Sequence, residues 1–176
     1  MGRKYLYFKG LREERQMKKY LVCSLNDENY TCADYDFYDS LEEAKEQCIQ
    51  NTVECMCVDK EDALKCMEFV EIVEDQKFPT WRYDYNMGYN FFVNQIIEID
   101  IEDGDNALVW HHSYDGVDFR IEHIGTEASC INLKAACSNR VYVERGIDID
   151  IYTNQTVVNT GEEWEVWDVI KYEDGN

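Results

Sequence analysis

The chain has 176 residues, 17 of them Lys or Arg and 37 Asp or Glu, for a formal net charge of −20. It is also 45% hydrophobic and 14% aromatic, so it can bury a core, and the charge belongs to a folded surface and not to a disordered acidic tail. A surface of that sign excludes direct binding to nucleic acid and favours basic partners; one proline, Pro79, and nine glycines exclude a Pro-rich linker or a low-complexity body.

The charge is unevenly spread. Residues 1–19 hold seven bases (Arg3, Lys4, Lys9, Arg12, Arg15, Lys18, Lys19) against Glu13 and Glu14, leaving 10 bases and 35 acids from Tyr20 onward. No run of about 18 apolar residues is present to span a membrane, and the first residues lack the apolar core of a signal peptide. The expected location is therefore the cytoplasm, with all eight cysteines as free thiols. Cys55-x-Cys57 is expected on a strand, both thiols filling a core face as small hydrophobes.

In chain order, residues 1–16 read as a basic N-terminal arm, 17–78 as a small α+β lobe and 79–176 as a β-rich lobe forming one compact unit with it. A strand is expected over 20–25, a turn at 26–29 and an extended piece reaching Asp36. Ser40-Leu41-Glu42-Glu43 is a capping box that opens a helix to about Gln50, with Leu41, Ala44 and Cys48 on its apolar stripe. A strand at 53–58, a helical or turn segment at 59–66 and a strand at 69–73 complete this lobe. The aromatic stretch 81–89 marks a change of texture. Beyond it, strands are expected at 91–101, 107–114, 117–123, 141–144, 147–152 and 164–172, with a short helix at 126–138. The fold class is α+β: an antiparallel sheet with one main helix in the N-terminal half, and a β-dominated C-terminal half.

The clearest chemical pattern is acid alternating with isoleucine. Ile97-Glu98-Ile99-Asp100-Ile101-Glu102 puts three carboxylates on one strand face, with Asp103 next in line, and Ile147-Asp148-Ile149-Asp150-Ile151 repeats the arrangement. Side chains two apart on a strand stand about 7 Å apart, comparable to successive phosphates along an extended backbone. Tyr83 and Tyr85, beside acids, are candidate interface anchors. The histidines at 111, 112 and 123 offer a metal site, although neighbours on a strand face opposite ways and no metal-binding spacing accompanies them. There is no G-x-S-x-G, P-loop or G-x-G-x-x-G motif.

These features point to a non-enzymatic binding protein with no cofactor and no metal. Its partner is expected to be a basic protein, such as a Cas nuclease, whose nucleic-acid-binding surface the carboxylates occupy by mimicry. In charge, size and lack of motifs the chain resembles the inhibitors that phages and mobile elements direct against host defence, anti-CRISPR and anti-restriction proteins among them. Two alternatives stand beside this reading: a metal-dependent hydrolase built on His111–His123, and an acidic immunity or accessory protein that neutralises a basic partner.

Overall fold

The computed structural model describes residues 17–26, 31–72, 76–87, 90–112, 117–145, 148–159 and 164–174; the basic arm at 1–16 lies outside them. The first half runs β1 (Met17–Asn26), β2 (Asp34–Tyr38), α1 (Leu41–Met56), α2 (Lys60–Cys66), β3 (Met67–Ile72), β4 (Thr80–Met87) and β5 (Asn90–Ile101). Its strands form an antiparallel sheet in the order β2-β1-β5-β4-β3. The second half runs β6 (Asn106–His112), β7 (Asp118–Gly125), α3 (Glu127–Arg145), β8 (Asp148–Ile151), β9 (Gln155–Asn159) and β10 (Trp164–Lys171), with sheet order β7-β6-β10-β9-β8. Apart from α2, the two halves follow one path, two strands, a helix and three strands, with the same strand order. The fold is thus α+β and doubled in topology, although the sequence carries no repeat of fixed period. The chain changes sheet at 102–105, not at Pro79: β4 and β5 complete the first sheet.

Local chemistry accounts for the helices. The Ser40 hydroxyl accepts the Glu43 N–H at 3.2 Å, and Ala44, Cys48 and Thr52 recur at i, i+4 and i+8 on the buried face of α1. The helix continues through 53–56, where the sequence predicts a strand. Thr52 is buried and its hydroxyl donates to the Cys48 carbonyl at 2.8 Å, so the packed stripe carries the helix on despite β-branched Val53. It ends at Cys57, which adopts a left-handed conformation at φ 52°. α3 likewise runs through 141–144, the site of another expected strand, because extending a nucleated helix adds one hydrogen bond for each residue fixed.

The isoleucine side of β5 decides how the layers stack. Ile97, Ile99 and Ile101, with Leu21 and Leu25 of β1, pack against Val109 of β6 and Phe119 of β7, so the two sheets lie face to face. α1 covers the outer face of the first sheet, with Ala44 and Cys48 on Val22, Ile96 and Tyr83. α3 covers the outer face of the second, with Cys130 and Leu133 on Leu108, Trp167 and Val169. The result is a four-layer helix–sheet–sheet–helix stack. Polar bridges fix the stagger of the sheets. Gln95 on central β5 exchanges two hydrogen bonds with the Phe119 backbone on edge strand β7, at 2.6 and 3.1 Å, and Tyr35 on edge strand β2 donates to Asp168 on central β10 at 2.6 Å. Each sheet's edge therefore lies over the other's centre, and β3–β4 and β8–β9 project past the opposing sheet. Among the described residues no helix is long and apolar enough to cross a membrane.

Candidate functional site

The alternation on β5 places its acids as expected. With the isoleucines inward, Glu98 and Asp100 face the outer side of the first sheet, and Glu102 lies just beyond the strand, where the chain crosses to the second sheet. Their charge is partly neutralised there. The Glu98 side chain is only 19% exposed and pairs with Lys18 at 2.8 Å, and Asp100 stands opposite Lys18 in the β1–β5 register. The Glu98 carboxylate in turn holds the Lys18 ammonium above its ordinary pKa. Asp103 sits in the turn after β5 and accepts the Asp174 N–H at 2.9 Å. Asp150 lies on edge strand β8 opposite Val157, on the sandwich-facing side of the second sheet. Asp148 is on the same strand, with its side chain outside the described residues. The two acidic rows therefore belong to different sheets.

Tyr83 and Tyr85 are not surface anchors. They are 9% and 5% exposed, because Trp81, Tyr83 and Tyr85 alternate on the helix-facing side of β4, where the Tyr83 ring meets Phe69 edge-on at 5.5 Å. Cys55 and Cys57 also depart from expectation. They lie at the end of α1 and in the turn beyond it, and both are exposed.

The most coherent acidic feature lies between β2 and α1. Inward-facing Tyr35 and Phe37 leave Asp34 and Asp36 on the outer face of the edge strand, looking across at Asn51 and Glu54 around a cavity of 510 Å³. Further along, Tyr38 and Asp39 face Glu43, Gln47 and Gln50 around a second cavity of 540 Å³. The five steps from Asp34 to Asp39 span about 17 Å of strand and the eleven from Glu43 to Glu54 about 17 Å of helix, so the two walls match in length. No Lys or Arg is among the described residues lining either cavity. Lys19 and Lys60 pair with Asp39 and Glu46 at the flanks. Burial, reinforced by neighbouring Asp34, pushes the Asp36 carboxyl above its usual range.

A chain of amides and hydroxyls ties α1, one wall of the groove, to the sheet beneath it. Gln47 donates to Asn51 at 2.7 Å, Asn51 to the Ser24 hydroxyl at 3.1 Å, Ser24 to Asn94 at 2.7 Å, and Asn94 to Thr52 at 3.1 Å and to the Tyr83 carbonyl at 3.2 Å. A sequence signal for the groove exists. Asp34-Tyr35-Asp36-Phe37 alternates acid with apolar residue as the isoleucine strands do, but with aromatics in their place.

The histidines diverge. His111 is 1% exposed inside the sandwich, with Nδ1 3.4 Å from the Tyr35 hydroxyl and 3.9 Å from Asp168. His112 faces outward against Trp110, ring centres 4.8 Å apart, and burial lowers its pKa. His123 meets the Ser129 hydroxyl at 2.9 Å near the start of α3. Among the described residues no three of His, Cys, Asp and Glu are grouped to hold a metal ion, so the hydrolase alternative finds no ligand set there. The cluster around Asp168 bridges the sheets instead. Asp168 accepts from Tyr35 and, at 2.8 Å, from Gln155, while burial raises both its pKa and that of Tyr35.

Comparison with protein-family models, with curated proteins and with solved structures found no match to this chain.

Proposed function

We propose that this protein is a non-enzymatic acidic binding protein that occupies a basic, nucleic-acid-binding surface of another protein. The β2–α1 groove carries the reading: two cavities in line along about 17 Å of strand and helix, one walled by Asp34, Asp36 and Glu54 and the other by Asp39 and Glu43, with no cation among the described lining residues of either. Like charges held this close repel one another and cost stability, so a surface that keeps them gains from a partner that neutralises them. In its sharpest form the reading is mimicry, with carboxylates two apart on β2 and β5 standing about 7 Å from one another in place of phosphates. A nucleic-acid enzyme of host defence, such as a Cas nuclease, is the partner that suits this chemistry, which makes the chain an anti-defence protein of a phage or mobile element. Its place of action is the cytoplasm, where exposed Cys32, Cys55 and Cys57 remain reduced.

The test is capture from lysate of the cells in which the gene resides, read by mass spectrometry at low and physiological salt. A nucleic-acid-binding protein held at low salt and released steeply as salt rises is the expected result. Capture of a basic toxin would move the reading to an immunity protein. Capture indifferent to salt would overturn the electrostatic account.

A further inference from the structure

Because the sheets are staggered, the inner face of β8–β9 projects past β2 and forms one wall of a cavity of 460 Å³. Asp150 of β8, Val157 of β9 and Trp164 of β10 line it from the second sheet, and Thr31 closes it from the first. Tyr152 and Asn154, in the turn between β8 and β9, form its rim. Thr31 adjoins Cys32, which lines the acidic groove, so the two concavities flank one short segment.

The turn between β8 and β9, at the rim of the cavity, is fixed by hydrogen bonds from both sides. Lys134 of α3 is almost fully buried, and its ammonium donates to the Tyr152 carbonyl at 2.6 Å, the Gln155 carbonyl at 3.2 Å and the Thr156 hydroxyl at 3.0 Å. From below, the Asn154 carbonyl accepts the Val169 N–H at 2.7 Å. The Gln155 amide donates to both Asp168 and the Thr31 carbonyl, at 2.8 and 3.0 Å. A turn fixed from both faces nevertheless leaves Tyr152 60% exposed beside an exposed carboxylate. Rigid aromatic surface next to a preformed cavity is the arrangement of an interface hot spot.

The lining chemistry selects the occupant. Trp164 and Tyr152 offer aromatic surface and Asp150 a negative charge, and no Lys or Arg is among the described lining residues. A nucleobase could also stack there, but it would carry its phosphate into the field of a chain of net charge −20. A guanidinium fits every element, since it is planar, stacks on aromatic rings and donates in pairs to a carboxylate. We propose that this cavity receives an arginine side chain of the basic partner, stacked on exposed Tyr152 and hydrogen-bonded to Asp150, two residues before it on the same edge of the sheet. The inference rests on the reading of a basic partner and deepens it: the groove supplies attraction over a distance, and the cavity supplies the anchor.

The test needs no knowledge of the partner. N-acetyl-L-arginine methylamide is titrated into the 15N-labelled full chain, and the Trp164 indole N–H, assigned by its loss in Trp164→Phe, is followed by NMR. The expected result is a saturable shift, weaker by roughly threefold with the lysine analogue. It should weaken by about tenfold in Asp150→Asn, the loss of one hydrogen bond to a charged group. Asp150 is an exposed edge residue, so the rest of the spectrum should be preserved in that variant; Tyr152→Ala provides a second test from the rim. A shift that never saturates, or equal affinity in Asp150→Asn, overturns the proposal. In lysate capture, a partner retained by Asp150→Asn but lost when the groove is neutralised would overturn the arginine cavity alone and leave the basic-partner reading standing.

Discussion

Replacing Tyr35 with Phe removes one hydroxyl and leaves the ring, edge-on to Phe119 at 6.3 Å, in place. That hydroxyl donates to Asp168, a carboxylate about 6% exposed whose other described donor is Gln155. A hydrogen bond to a buried charged group contributes about 1.5–3 kcal/mol, because its loss leaves the carboxylate under-solvated. In a chain of this length that lowers Tm by roughly 3–12 °C. The loss should also depend on pH. Burial already holds the folded-state pKa of Asp168 above its unfolded value, and the Tyr35 hydroxyl counteracts that rise. A raised folded pKa means stability that is complete below the unfolded value and is lost as pH rises through the folded value. Without Tyr35 the folded pKa climbs further, so the deficit of Tyr35→Phe should be largest where Asp168 is ionised and shrink on acidification, as the carboxylate takes up a proton. Thermal unfolding of parent and variant from neutral to acid pH, followed by circular dichroism, gives both quantities. A Tm change under about 1 °C at neutral pH, or a deficit that grows on acidification, would refute the assignment of Asp168 as an ionised bridge between the sheets.

Ile96, fully buried between β5 and α1, should cost about 2–5 kcal/mol when changed to Ala, read from the urea midpoint at constant m; a loss under about 1 kcal/mol would mean that α1 does not clamp the sheet. In native protein a thiol reagent should titrate exposed Cys32, Cys55 and Cys57 quickly, while Cys23 and Cys48 react only on unfolding, since burial raises both pKa values and takes Cys48 to about 12. Fast reaction of Cys48 would contradict the packing of α1. Changing Asp34 and Asp36 together to Asn should stabilise the chain by about 0.5 kcal/mol through relief of repulsion and slow association with the partner, a combination visible in denaturant unfolding and in binding kinetics. Destabilisation by the pair would show that these carboxylates hold the fold together.

The isoleucine–acid strands and the capping box at Ser40 were legible because each is a local pattern with one dominant cause. The helix extensions at 53–56 and 141–144 were not, because the packed stripe of α1 in the first case and the continuation of an already nucleated helix in the second override the β propensity of valines. A related effect hides Tyr83 and Tyr85. An aromatic beside an acid looks like surface until strand alternation assigns it to the helix-facing side of β4, a strand hidden in the aromatic texture of 81–89. The doubled topology left no trace in residue identity, since strand order depends on which edges meet and not on any repeated side chain. The groove, too, is a tertiary product: Asp34 and Asp36 announce half of it in sequence, and Glu43 and Glu54 join them only when α1 docks beside β2.

The central claim is that the β2–α1 groove competes with nucleic acid for a basic surface. It is tested most directly by measuring retention of the captured partner on the parent chain and on a variant carrying Asp34→Asn, Asp36→Asn, Glu43→Gln and Glu54→Gln, each with and without added duplex DNA. The account predicts that DNA displaces the partner from the parent and that the variant retains little of it in either condition. A partner that DNA leaves in place, and that the variant binds as well as the parent, would contradict it.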